Sequence, residues 1–314
     1  MGWNRIRVVL WAAAFALTSV RSLSAATKGS AAVVLSGTVS DGSGAGWPLY
    51  ARIVATSAST EPIVAFSDPV TGAYSMNLFD GVVYDVAVTA IGSGYAAGGG
   101  PVTAAGAPIA KNWPLLVNAA ACVAPGYHAT GFTPALSESF DAGVLPLGWE
   151  IQTTSGAPWQ IAEGADPCGQ FPGNETGGSG PYAILNSDCF SDGFDVDESS
   201  LVTPPVDLSG LPSAALRWNN DFHYLATFID VADVDVSLDG GTTWTNVWEQ
   251  TFPDSPGPNT QTVDISFAAG HSGVRARYHY TVYFGWWWQV DDVQIGQALC
   301  SPLPGGLGIS PPAR

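Results

Sequence analysis

Alternation of apolar and polar residues at every second position is the feature that most constrains this chain. Val33, Leu35 and Val39 fall on one side of their segment. Leu49, Ala51 and Ile53 alternate with Tyr50, Arg52 and Val54, and Tyr84, Val86 and Val88 alternate with Asp85, Ala87 and Thr89. A period of two is that of a strand with one buried face. Turn signals separate these segments at Asp41-Gly42, Asp68-Pro69, Thr71-Gly72 and Asp80-Gly81. Strands spaced by roughly ten residues suggest a sandwich. Composition argues the same way: 314 residues contain 37 Gly and 23 Pro, and the only lysines are Lys28 and Lys111. The expectation is an all-β protein of about two domains.

The first 26 residues read as an address. Arg5 and Arg7 precede an apolar run over residues 8–20, and Ser24-Ala25-Ala26 offers small residues for a cut after Ala26. The run falls short of the roughly 20 residues that span a bilayer. Residues 1–26 are therefore expected to be a secretory signal peptide, and the mature protein to be secreted, without membrane insertion. Removing the signal leaves 7 basic and 27 acidic residues, a net charge of −20. Residues 27–121 carry 3 basic and 5 acidic groups, and residues 122–300 carry 3 basic and 22 acidic ones. The acidity belongs to the second half. So few cations argue against binding to nucleic acid or to anionic membranes.

Cys122, Cys168, Cys189 and Cys300 all lie in that half. An even number in an exported chain suggests two disulfides. Three pairings are open. Cys122–Cys300 with Cys168–Cys189 is favoured, because the first bond would clasp the ends of the second domain and the second would tie off a loop. No CxxC motif or His pair points to zinc instead.

Ser36-Gly37-Thr38-Val39-Ser40-Asp41 resembles the opening strand of carboxypeptidase regulatory-like domains. Asp68-Pro69-Val70-Thr71-Gly72-Ala73-Tyr74, followed by Leu78, Gly81, Tyr84 and Gly94-Tyr95, resembles their further signature. The resemblance implies a small transthyretin/Ig-like β-sandwich over residues 27–118, an accessory module without catalytic residues. The Gly- and Ala-rich residues 92–108 depart from it and read as a loop. Residues 119–129 read as a linker.

Residues 130–300 resemble MAM-like jelly rolls of bacterial exported proteins, including the cleaved-adhesin and choice-of-anchor types. The resemblance rests on Glu138-Ser139-Phe140-Asp141, Leu145-Pro146-Leu147-Gly148-Trp149, Trp159-Gln160-Ile161, Ser200-Leu201-Val202-Thr203-Pro204-Pro205, and Trp288-Gln289-Val290-Asp291-Asp292-Val293. Asn174-Glu175-Thr176-Gly177-Gly178-Ser179-Gly180-Pro181-Tyr182 is similar to their D-[HN]-T-x-x-G-x-Y stretch, with Asn174 in place of the usual Asp. The implied fold is an antiparallel jelly roll. The resemblance also implies a structural Ca2+ held by Glu138, Asn174, Asp291 and Asp292, where the first strand, the Asn174 loop and the last strand meet. Calcium takes oxygen ligands, including carbonyls and water, so few carboxylates suffice. Asp188, Asp192, Asp195, Asp197 and Glu198 form a second acidic cluster, without EF-hand spacing and read first as a solvated loop. Residues 301–314 read as a Pro- and Gly-rich tail.

Ser237-Leu238-Asp239-Gly240-Gly241-Thr242-Thr243-Trp244 fits the Asp-box pattern, and one copy reads as a hairpin turn with Trp244 packed below. Trp286-Trp287-Trp288, with Tyr283 and His223, is a candidate platform for sugar faces. In a regular strand Trp286 and Trp288 would face one side and Trp287 the other. No H-E-x-x-H or G-x-S-x-G is present, and 22 acids in one half make any single carboxylate pair uninformative. Two functions follow: a non-catalytic adhesin-like protein that contacts an extracellular carbohydrate or protein ligand, or the accessory portion of a secreted protease.

Overall fold

The structure, a computed structural model, describes residues 32–92, 94–166, 168–190, 196–225 and 229–304. The expected signal peptide lies outside the described residues. The first domain contains β1 (Ala32–Asp41), β2 (Ala51–Thr56), β3 (Ile63–Phe66), β4 (Ala73–Phe79), β5 (Val83–Ala90), β6 (Gly98–Thr103), β7 (Ile109–Ala110) and β8 (Trp113–Leu115). One sheet runs β4-β1-β7 with β8 also on β1, and the other runs β3-β2-β5-β6. The alternating residues do what their period requires: Val33, Leu35, Ile53, Tyr84, Val86 and Val88 fill the space between the sheets. Asp68 closes its turn by accepting the backbone N–H groups of Val70 and Thr71 at 2.9 and 2.7 Å. The Tyr74 hydroxyl accepts from Trp113 Nε1 and donates to the Lys111 carbonyl. Gly98–Thr103, within the stretch read as a loop, instead forms β6 against β5, so the bland composition conceals an edge strand.

The second domain contains β9 (Tyr127–Glu138), β10 (Glu150–Ser155), β11 (Gln160–Ala162), β12 (Tyr182–Asn186), β13 (Asp197–Val202), β14 (Ala215–Phe222), β15 (Asp230–Ser237), β16 (Thr245–Gln250), β17 (Ser255–Asp264), β18 (Arg275–Val282) and β19 (Trp287–Pro302). A five-stranded sheet, β10-β13-β18-β15-β16, faces a six-stranded one, β11-β12-β19-β14-β17, in which β9 also pairs with β19. Every pairing in this domain is antiparallel. The last residues of the expected linker and the first of the expected tail lie in strands, and the tail beyond residue 304 lies outside the described residues. Tyr127–Ala129 already belong to β9, and they pair with Cys300–Pro302 at the far end of β19.

Aromatic rings dominate the core between these sheets. Trp288, 0% exposed, packs edge-on to Trp159 at 5.3 Å and lies nearly parallel to Trp248 at 5.8 Å. Indole N–H groups need acceptors when buried. Asn220 supplies one: its Oδ1 accepts from Trp288 at 2.8 Å and from Trp218 at 3.2 Å. Disulfides join Cys122 to Cys300 and Cys168 to Cys189.

Candidate functional site

The outer face of the six-stranded sheet carries most of the chemistry, and β19 explains why. Along this strand Trp288 and Val290 point into the core, and so do Val293 and Ile295. The parity changes between them. Opposite β14, the step from Arg217 to Asn219 is matched by the step from Gln294 to Asp291, so β19 holds one extra residue there. Asp292, at φ 48°, absorbs it. Such a β-bulge re-aims side chains. Here two neighbouring acids serve the outer face: Asp291 meets Asn174, and Asp292 Oδ2 accepts from Asn219 Nδ2 at 2.8 Å.

The Asn174 loop closes over them. A Cβ on Gly178 would lie 2.0 Å from Asp291 Oδ2 and 3.2 Å from Asp292 Oδ2, so only glycine lets the backbone pass this close. A Cβ on Gly180 would lie 2.7 Å from Asp141 Oδ1. Asp141, which the sequence reading quoted in a motif but did not assign, thus joins the cluster. Asn174 Nδ2 donates to Asp291 Oδ2 at 2.7 Å, while its Oδ1 accepts from the Thr176 N–H and hydroxyl. Glu138 sits opposite Val293, beside the bulge, and accepts the Phe140 N–H at 2.8 Å. Phe140 is itself at φ 55°. Burial, opposed by hydrogen bonds from Asn174 and the Asp292 N–H and reinforced by the charges of Asp292 and Asp141, pushes the Asp291 carboxyl up to about 7. These acids face the Asn174 loop, but among the described residues no three of the Glu138, Asp141, Asp291 and Asp292 carboxylates lie within 4.8 Å of one another. Asn174 presents nitrogen, not oxygen, to the cluster as it stands.

Among the described residues, Asp188, Asp197 and Glu198 of the second acidic cluster point to different partners. Asp197 and Glu198 are consecutive strand residues and turn to opposite faces of β13. Asp197 is buried and accepts the Ala157 N–H at 2.7 Å, whereas Glu198 pairs with His279 at 3.4 Å. Asp188 receives Gln170. Asp192 and Asp195 lie outside the described residues.

The tryptophan run also departs from simple alternation. Trp286 precedes β19, so no ladder fixes its side. It stacks on Trp287, with centroids 5.5 Å apart and planes 11° from parallel, while Trp288 enters the core alone. Trp287 is 5% exposed, wedged against Phe171 at 4.7 Å, and Trp286 is half-buried above it. His223 lies 4.6 Å from the Trp287 ring and 5.9 Å from that of Trp286. Tyr283 is half-buried, its N–H bonded to the Ile229 carbonyl. Beside His223, Tyr224 meets Phe252, a 72% exposed ring that sequence reasoning did not single out.

A polar group underlies this surface. Asp221, buried on β14, accepts from Trp287 Nε1 at 2.9 Å, from the Gly257 N–H at 2.7 Å and from His223 Nε2 at 3.0 Å. Glu175, next to Asn174, comes to the same place. Its position depends on Gln289, whose amide accepts the Glu175 N–H and donates to the Gly173 carbonyl. Burial, with the Asp221 charge, raises the Glu175 carboxyl, and His223 partly offsets this. A third group, Asp166 with Cys168 and Cys189, has its sulfurs tied in a disulfide and offers no thiolate. Asp239 in the Asp-box turn accepts two backbone N–H groups and two hydroxyls, which hold its carboxyl down at about 2. Trp244 lies under the Arg277 guanidinium at 4.7 Å, a structural arrangement.

No family model matches the chain, nor does any curated protein. Solved structures do. The K1 cleaved adhesin domain of Lys-gingipain from Porphyromonas gingivalis W83 is 22% identical, with a TM-score of 0.38 over 51% of this chain and 96% of that one. The K3 cleaved adhesin domain of the same protein is 20% identical, with a TM-score of 0.39 over 52% and 98%. TmCBM61, in complex with β-1,4-galactotriose, is 15% identical, with a TM-score of 0.36 over 52% and 99%.

Proposed function

We propose that this chain is an exported, non-catalytic binding protein whose second domain takes an extracellular carbohydrate against Trp286, on a face stiffened by a structural calcium ion. The observation that carries the reading is the half-buried Trp286 laid parallel on Trp287, with His223 beside both rings and Asp221 bonded beneath to Trp287 Nε1. An indole supported from behind offers a flat apolar surface for a sugar ring, and Glu175 with the imidazole of His223 supplies partners for hydroxyls. Calcium would be taken by Asp291 and Asp292 beneath the Asn174 loop, with Asp141 and Glu138 moving in to complete the ligand set, because as they stand no three of these carboxylates lie within 4.8 Å of one another. That loop leads directly into Glu175 at the aromatic site, so holding the acids also holds the platform. A glycan array with the mature protein in calcium tests the reading. The expected result is saturable binding that Trp286→Ala abolishes. An array on which the wild type binds no glycan overturns the carbohydrate form of the proposal.

A further inference from the structure

The Glu175, Asp221 and His223 group has a composition that calcium does not explain. One ligand atom from each of the three lies within 4.8 Å of the others. His223 offers nitrogen, and hard oxygen-seeking cations rarely take imidazole. Asp221 is 1% exposed, so its carboxylate is held in place by its surroundings and not by solvent. The Glu175 carboxylate makes no hydrogen bond among the described residues, while its backbone is clamped by Gln289. The other imidazole nitrogen provides a separate observation. His223 Nδ1 is buried with no hydrogen-bond partner and faces Asp254 Oδ2 at 3.8 Å.

A neutral His223 that donates from Nε2 to Asp221 would turn an Nδ1 lone pair toward Asp254, so the ring needs a proton on Nδ1, either as an imidazolium or with Nε2 given to a cation. The Glu175 carboxylate, within 4.8 Å of the other two and without a hydrogen bond among the described residues, favours Nε2 given to a cation. The ring proton then moves to Nδ1 and points at Asp254, the arrangement in which a metal-bound histidine donates to an outer carboxylate. We propose that Glu175, Asp221 and His223 form a site for a divalent transition metal of the zinc class, separate from the acidic cluster at Asp291. Two carboxylates neutralise the ion, and three protein ligands leave a coordination position open. Asp254 is a positioning residue for His223. The proposal does not rest on carbohydrate binding.

The test is calorimetric titration of the calcium-saturated mature chain with zinc, alongside the visible spectrum of the cobalt-loaded protein. Saturable binding of one zinc and the strong ligand-field bands of low-coordinate cobalt are expected. Glu175→Gln and His223→Ala should abolish both, and Asp254→Asn should weaken zinc binding by about 10–100-fold. Glu175→Gln removes no hydrogen bond, so it remains informative if His223→Ala fails to fold. Absence of saturable zinc binding by the wild type overturns the proposal. So does zinc binding that is unaltered in Glu175→Gln.

Discussion

At the scale of single residues, Asp291 concentrates the electrostatic cost of the second domain. Its carboxyl, ordinarily near 3.8, is lifted to about 7 in the fold, first by burial. A raised value means that the folded protein favours the protonated acid. Without metal, the stability this group contributes is fully present below pH 3.8 and is lost as pH rises through about 7. Asp230, buried against the Tyr280 hydroxyl and raised to about 6, has the same sign over a lower window. The expected outcome in chelator is a wild-type melting temperature that falls relative to that of Asp291→Asn as pH approaches 7. Thermal melts of both proteins across this window check it, and parallel curves would refute it. Asn174 allows a complementary prediction. Its amide donates to Asp291, so Asn174→Asp replaces a favourable partner with another negative group. That variant should melt lower than wild type in chelator and gain more from calcium. Free calcium at 100 times the dissociation constant contributes about 2.7 kcal/mol, so paired melts with and without the ion read the difference directly.

At the scale of elements, β19 shows what a linear pattern conceals. The strands β2 and β5 were legible because each buries one face only, and period two survives in their burial. Residues 287–291 of β19 are buried on both faces, so hydrophobicity there carries no alternation. The bulge at Asp292 is also invisible locally, because it is defined by register against β14. This is why the acids Asp291 and Asp292 were identifiable through a motif while their joint orientation was not. The Glu175, Asp221 and His223 group was harder still. Its members are brought together by a loop, a strand and the segment after that strand, and no spacing in sequence announces the meeting. The tryptophan run yields a prediction about elements. Trp288→Ala empties the centre of the core and removes a donor from Asn220, and should cost about 3–5 kcal/mol. Trp286→Ala should cost far less, because Trp286 lies half-buried outside the sheet pair. Urea denaturation of the two variants separates them; equal losses would mean that Trp286 is a core residue.

At the scale of the whole molecule, the two domains differ in charge yet meet in one small apolar cluster. Val117, Ala124 and Tyr127 are buried there with Trp47 and Tyr95 of the first sandwich packed against them. The Tyr127 ring lies edge-on to Trp47 at 6.0 Å, and its hydroxyl donates to the Asp41 carboxylate at 3.0 Å. Burial and that carboxylate push the phenol up to about 12, so it stays a donor at ordinary pH. Asp41 in turn accepts the N–H groups of Ser43, Ala45 and Gly46, which ties the turn of the first domain to the first strand of the second. Cys122–Cys300 lies at this junction and closes a segment of 178 residues, whereas Cys168–Cys189 closes 21. In chain-entropy terms the longer closure contributes about 5 kcal/mol and the shorter about 3 kcal/mol. The locations matter as much as the sizes. Replacing Cys122 and Cys300 by Ser should lower the melting temperature and also expose the segment between Val117 and Tyr127 to proteolysis, because the same bond secures the strand pairing of β9 with the end of β19. Replacing Cys168 and Cys189 should leave that segment protected and loosen the loop that precedes β12. Limited proteolysis with mass-spectrometric mapping distinguishes the two patterns, and cleavage at the same places in both variants would show that neither bond acts where the fold places it.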